Sequence, residues 1–198
     1  MLTRLLLALL LATTVLGGGC RRQAESTDNT AKLTVTVSIP PLKFLVDQIG
    51  GEAATCQVLL GPGRSPATYE PTPAQMTALS QSALLVLAGV PYEQAVRPRL
   101  ESLYPDMAIL DLAPADPDPV HPHDHSELDP HSWLDPVAVL AKADRVRQAL
   151  TRLDSAHAEP HQRRFDSLAT TLTALDRDLA SLFKSTTRRR FYCYHPEY

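Results

Sequence analysis

Four of the chain's seven histidines fall within eleven residues. Three alternate in Val120-His121-Pro122-His123-Asp124-His125, and His131 follows six residues on. Residues two apart in an extended segment point to the same side. Neutral imidazole is a good ligand for zinc, copper and nickel, and the Asp124 carboxylate adds charge. A proline-rich segment cannot hold rigid tetrahedral geometry alone, so His121, His123 and His125 read as a loose, fast-exchanging metal site. A solvated polar linker is the alternative, and the density of histidines favours metal contact over it. His157 and His161 also stand four apart, a spacing that puts two ligands on one helix face. Pro160 lies between them at an expected helix start, so the pair reads as surface residues.

The elements that must position these groups follow from pattern. Leu33-Thr-Val-Thr-Val37 alternates as a strand does. Pro40-Pro41 opens a helix to about Gly50, with Leu42, Phe44, Leu45 and Ile49 on one side. Thr55 to Leu60 is a second strand, closed by the turn Gly61-Pro62-Gly63. Thr72-Pro73-Ala74-Gln75 has the form of a capping box with proline in the first helical position. The continuous apolar run Ala83–Ala88 suits a strand covered on both faces of a parallel sheet. A helix over Tyr92 to Tyr104 and a strand over Met107 to Leu110 complete a β-α alternation, so the fold class is α/β.

From Leu112 to Asp135 the chain carries five prolines, six acids, four histidines and no lysine or arginine. A long loop of this kind inside a compact domain is usually functional or disordered. Asp135-Pro136 then starts a helix to about Leu153, with Leu140, Ala143, Val146, Leu150 and Leu153 as its stripe. A longer helix starts near Pro160, with Phe165, Leu168, Leu172, Leu175, Leu179 and Leu182 recurring at threes and fours. At 1.5 Å per residue it forms a rod of roughly 37 Å. Phe191-Tyr-Cys-Tyr194 reads as a strand, followed by His195-Pro196.

Composition narrows the function. The 198 residues hold 44% hydrophobic residues, too many for a disordered chain. A net charge of −3 leaves no basic footprint for nucleic acid. Arg4 before the apolar run Leu5–Leu16 and then Gly17-Gly18-Gly19 make a secretory signal. Twelve residues are short for a permanent span. Cys20 after the glycines resembles the lipid-attachment cysteine of a bacterial lipoprotein, an ordinary signal being the alternative. Arg21 to Thr30 is polar and reads as a tether. Of the two remaining cysteines, Cys56 is expected to be a buried small residue, and its pairing with Cys193 stays open. A metalloenzyme would need three ligands, an open position and a general base, and the sequence has no H-E-x-x-H pair.

Three segments in order carry a resemblance: Tyr69-Glu-Pro-Thr-Pro73, then Asp129-Pro-His-Ser-Trp-Leu-Asp-Pro136, then a long helix and a strand leading to His195-Pro196. Together they resemble the zinc- and manganese-binding lipoproteins of bacterial ABC importers, and the histidine-rich loop resembles the zinc type. The resemblance implies two α/β lobes joined by one long helix, with metal held between them by three histidines and an acid. It implies that His131 and His195 are ligands. The first ligand of the family falls on Ala67 here, and an alanine methyl has no lone pair to give. The acid belongs to the second lobe. His121, His123 and His125 are then auxiliary donors, and Zn2+ or Mn2+ is the cargo.

The domain plan that follows has a signal over 1–19 and a lipidated Cys20 with its tether over 20–31. An N-terminal α/β lobe spans 32–153, with the histidine-rich loop at 112–131. A linking helix spans 154–190, and 191–198 is the first strand of a second lobe that is largely missing. The implied function is extracytoplasmic capture of zinc or manganese for an ABC permease, without covalent chemistry. It implies a periplasmic or cell-surface, lipid-anchored location. A degenerate metal sponge or adhesin-like surface domain is the competing reading.

Overall fold

The computed structural model describes residues 31–66, 68–113, 131–187 and 192. The chain divides into two units, Met1–Ala31 and Lys32–Tyr198, and every described element belongs to the second. The expected signal, Cys20 and most of the tether lie outside the described residues, as do Ala67, His121, His123, His125, Cys193 and His195.

Four strands form one parallel sheet: β1 (Leu33–Val37), β2 (Ala54–Val58), β3 (Leu84–Leu87) and β4 (Ala108–Asp111), in the order β2-β1-β3-β4. β1 lies between β2 and β3, with Val35 opposite both Cys56 and Leu84. All four residues of β3 are buried, as a strand covered on both faces must be. Leu84 and Val86 join Val35 and Val37 in one core, while Leu85 and Leu87 join Leu59, Leu79 and Leu100 in the other.

The first core is covered by α1 (Pro40–Gly50), α4 (Pro136–Leu153) and α5 (Ala158–Phe183), the second by α2 (Pro73–Leu79) and α3 (Pro91–Leu103). α1 starts on two prolines, whose missing N–H groups would be unsatisfied in the first turn anyway. Leu42, Leu45, Val46 and Ile49 face inward. Phe44, expected in that stripe, is 51% exposed, because two residues turn a helix by about 200°. α2 carries the expected capping box between Thr72 and Gln75. α3 continues through Pro98, where both Gln94 and Pro98 are exposed. The carbonyl that loses its intrahelical partner there can therefore turn to water.

Asp135 caps α4, its Oδ1 accepting from Val137 N–H at 2.8 Å. Val139, Ala143, Val146 and Leu150 are buried, but Leu140 is half-buried and Leu153 exposed. The inward stripe is thus shifted one residue from the expected one at its start. α5 begins at Ala158, two residues before Pro160. Pro160 sits in the first turn, where the lost N–H has no partner to miss. His161 lies on the same face as Leu168 and Leu172, and it is 1% exposed rather than on the surface. Leu168 and Leu172 are buried, whereas Leu175, Leu182 and Phe183 are exposed. Cys56 is half-buried on edge strand β2 rather than fully buried. Burial still pushes its thiol up to about 12, so it stays protonated and unreactive.

Candidate metal site

In an open parallel sheet, ligands bind beyond the carboxyl ends of the strands, where neighbouring connections leave in opposite directions. Here that point lies between β1 and β3. The chain leaves β1 through Ser38 and β3 through Ala88 and Gly89, and Tyr92 closes the gap. Its hydroxyl donates to the Ser38 carbonyl at 2.8 Å. Gly89 has φ +91, a conformation that glycine takes without strain. The Glu93 carboxylate accepts from the N–H groups of Ala88 at 2.9 Å and Gly89 at 2.7 Å. Glu93 is buried. Burial pushes its carboxyl above the usual range, and the two N–H donors pull the other way.

The Tyr69-Glu-Pro-Thr-Pro73 segment is fixed against the same corner. Tyr92 N–H donates to the Pro66 carbonyl at 3.1 Å, and the two tyrosine rings meet edge to face at 4.9 Å. The Tyr69 hydroxyl lies between the Leu59 carbonyl and Gln75 Oε1. Gln75 Nε2 donates to the same Leu59 carbonyl at 2.7 Å. Pro66 and Tyr69 are therefore both tied to this corner of the fold.

His131 stands at the entrance to a short turn of 3-10 helix, Ser132–Leu134. Its carbonyl accepts from Leu134 N–H at 3.0 Å. Its ring packs edge-on against Trp133, with centroids 5.0 Å apart. Asp135 then opens α4. The sequence Asp129-Pro-His-Ser-Trp-Leu-Asp-Pro136 thus contains a ligand candidate, an aromatic wall and a helix cap in one turn. Beside Trp133 an apolar groove of about 400 Å³ runs between Pro41, Phe44, Pro136, Leu172 and Leu175.

The other root of the histidine-bearing segment is Leu112. Its N–H donates to the Leu87 carbonyl at 2.8 Å, extending the β3–β4 ladder. Its carbonyl accepts from Lys142 Nζ. Lys142 is a buried cation, 8% exposed. Burial and then Arg145 lower its proton affinity, while Asp111 and Glu93 raise it. Asp111 accepts from Ala113 N–H at 2.9 Å and from Arg97 Nη1 at 2.6 Å.

Among the described residues, no group of three or more His, Cys, Asp or Glu side chains stands together to hold a metal. Of the expected ligands, His131 alone lies among the described residues. Sequence reasoning missed Tyr92, Glu93 and Lys142. The signal for Glu93 was an acid in the first turn of a helix that follows a glycine. Lys142 had no signal beyond its place on the inward side of α4.

A parallel sheet with helices on both faces, its carboxyl edge bearing a histidine turn and a long helix running past it, defines a lobe of the periplasmic-binding-protein fold. A family model described as "Zinc-uptake complex component A periplasmic" matches residues 35–198, and the chain belongs to that family. The iron-binding protein YfeA of Yersinia pestis is 26% identical over 153 residues, which cover 77% of this chain and 49% of YfeA. The high-affinity zinc uptake system protein ZnuA of Paracoccus denitrificans is 26% identical over 204 residues, covering 83% of this chain and 61% of that protein. A crystal structure of a zinc-bound ZnuA deletion mutant superposes with a TM-score of 0.74 at 28% identity, over 84% of this chain and 64% of that one. The chain thus spans about half the length of the curated relatives it matches.

Proposed function

We propose that this chain captures zinc outside the cytoplasm and presents it to the permease of an ABC importer. Manganese is the competing cargo. The observation that supports the proposal is His131, at the start of its 3-10 turn with its ring against Trp133. His195 is the second ligand. Ala67 cannot donate, so His123 or His125 supplies a further imidazole, with His121 as an outer contact. A zinc site wants four ligands, or three and water. No bond in the cargo is made or broken, so the protein is not an enzyme. Cys20 carries the lipid that keeps the lobe at the membrane. The family match favours this reading over an adhesin-like one.

Zinc titration of the chain, beside His131→Ala, His195→Ala and His123→Ala/His125→Ala variants, tests it. Tight one-to-one binding that falls more than tenfold in each variant is expected. Weak binding of several ions that ignores His131 would refute capture and leave the sponge.

A further inference from the structure

α5 has 26 residues, and three of them are buried: His161, Leu168 and Leu172. Two are ordinary apolar anchors. The third is an imidazole, 1% exposed. Its Nδ1 is buried and has no hydrogen-bond partner among the described residues, an arrangement that costs stability. The ring lies tilted against His157, with centroids 6.3 Å apart. His157 Nδ1 is 2.7 Å from Asp154 Oδ2.

The charged and titratable groups bearing on His161 are Asp154 and His157 from the turn between α4 and α5, and Arg164 from α5 itself. Among the described residues, none from α1 or α4 bears on it. Arg164 is packed over the end of α1: its guanidinium lies where a side chain on Gly51 would have to go. A proton on His161 would therefore create a buried cation among Arg164 and His157. The one carboxylate nearby, Asp154, is already engaged by His157.

We propose that His161 is a proton-operated catch: neutral, it seats the first turns of α5 on the lobe, and protonated, it loosens that seat. Burial is the main influence lowering the proton affinity of the seated ring. Asp154 opposes it, and His157 and Arg164 reinforce it. In the loosened state the ring returns to an ordinary value of 6.5. The loosened state then binds the proton more readily, so acid favours it. Well above pH 6.5 both states are neutral and the seat is firm. Loosening grows as the pH falls below that and levels off once the seated ring is itself protonated.

Two measurements on the whole chain test this. The His161 Cε1–H resonance, assigned through the backbone of the isotope-labelled chain, should titrate below pH 6.5, and a midpoint at or above 6.5 overturns the proposal. Hydrogen exchange, corrected for intrinsic rates, should show opening of peptides from 158–172 rising between pH 7.5 and 5, by at most about tenfold per pH unit for one proton. Peptides from β1 and β3 should not follow. In His161→Phe and His161→Leu the acid-dependent part should disappear. Equal acid-driven opening in the wild type and the variants overturns the proposal. The titration is made on the unmodified chain, so it decides the matter even where a variant does not fold.

Discussion

Gln75 is the residue on which the Tyr69-Glu-Pro-Thr-Pro73 segment turns. Its Nε2 donates to the Leu59 carbonyl at 2.7 Å, and its Oε1 accepts from Thr72 N–H at 2.9 Å. Oε1 also competes with Leu59 for the single proton of the Tyr69 hydroxyl. Replacing Gln75 with methionine keeps the length of the side chain and removes both polar atoms. Leu59 would keep the Tyr69 proton, now undivided, and Thr72 N–H is exposed and would take water. No buried group is orphaned, so the loss is three net hydrogen bonds, one of them from the Thr72 hydroxyl at 3.1 Å, at about 1 kcal/mol each. For a lobe of this size that lowers Tm by roughly 6–12 °C. Urea unfolding of Gln75→Met, Tyr69→Phe and the double variant gives the coupling. The shared proton predicts non-additivity of about 0.5 kcal/mol or more. Additive losses, or a single loss above about 4 kcal/mol, would refute the account of a shared acceptor.

Two further outcomes follow from the geometry. Tyr92→Phe should cost about 1 kcal/mol in urea unfolding, the low end for a buried hydroxyl, because the Ser38 carbonyl keeps the Leu60 N–H at 2.9 Å. Along α5, Leu172→Ala should cost about 2–5 kcal/mol, whereas Leu182→Ala, at a position 67% exposed, should stay within about 0.5 kcal/mol. Equal losses at the two leucines would contradict the boundary between the seated and exposed parts of α5.

Features written in local chemistry were legible. The Thr72–Gln75 box, the Asp135-Pro136 start and the doubly buried Ala83–Ala88 run each depend on a few neighbouring residues. Phe44 was misplaced because apolar type was read without strict period, and Leu153, in phase with Val146 and Leu150, is exposed as the last residue of α4. His161 was misplaced because it was paired with His157 and not with the stripe that Phe165, Leu168 and Leu172 continue at spacings of four, three and four. The strand order β2-β1-β3-β4 and the union of Tyr92, Glu93 and Ser38 at the sheet edge are long-range facts. No spacing in the sequence encodes them. His131 was legible because its turn, its aromatic wall and its helix cap lie within eight consecutive residues.

The distribution of buried residues along α5 has a mechanical consequence. Among the described residues, the helix is fixed to the lobe from His161 to Leu172 and has no buried residue from there to Phe183, so with respect to this lobe it is a beam clamped at one end. Eleven residues beyond the last clamp give an overhang of about 16 Å. A tilt of about 10° at the clamp would carry the tip through roughly 3 Å for that helical rise. Small rearrangements among His161, Leu168 and Leu172 are therefore magnified at Phe183. Whatever the far end of the beam carries is steered from residues that never touch it.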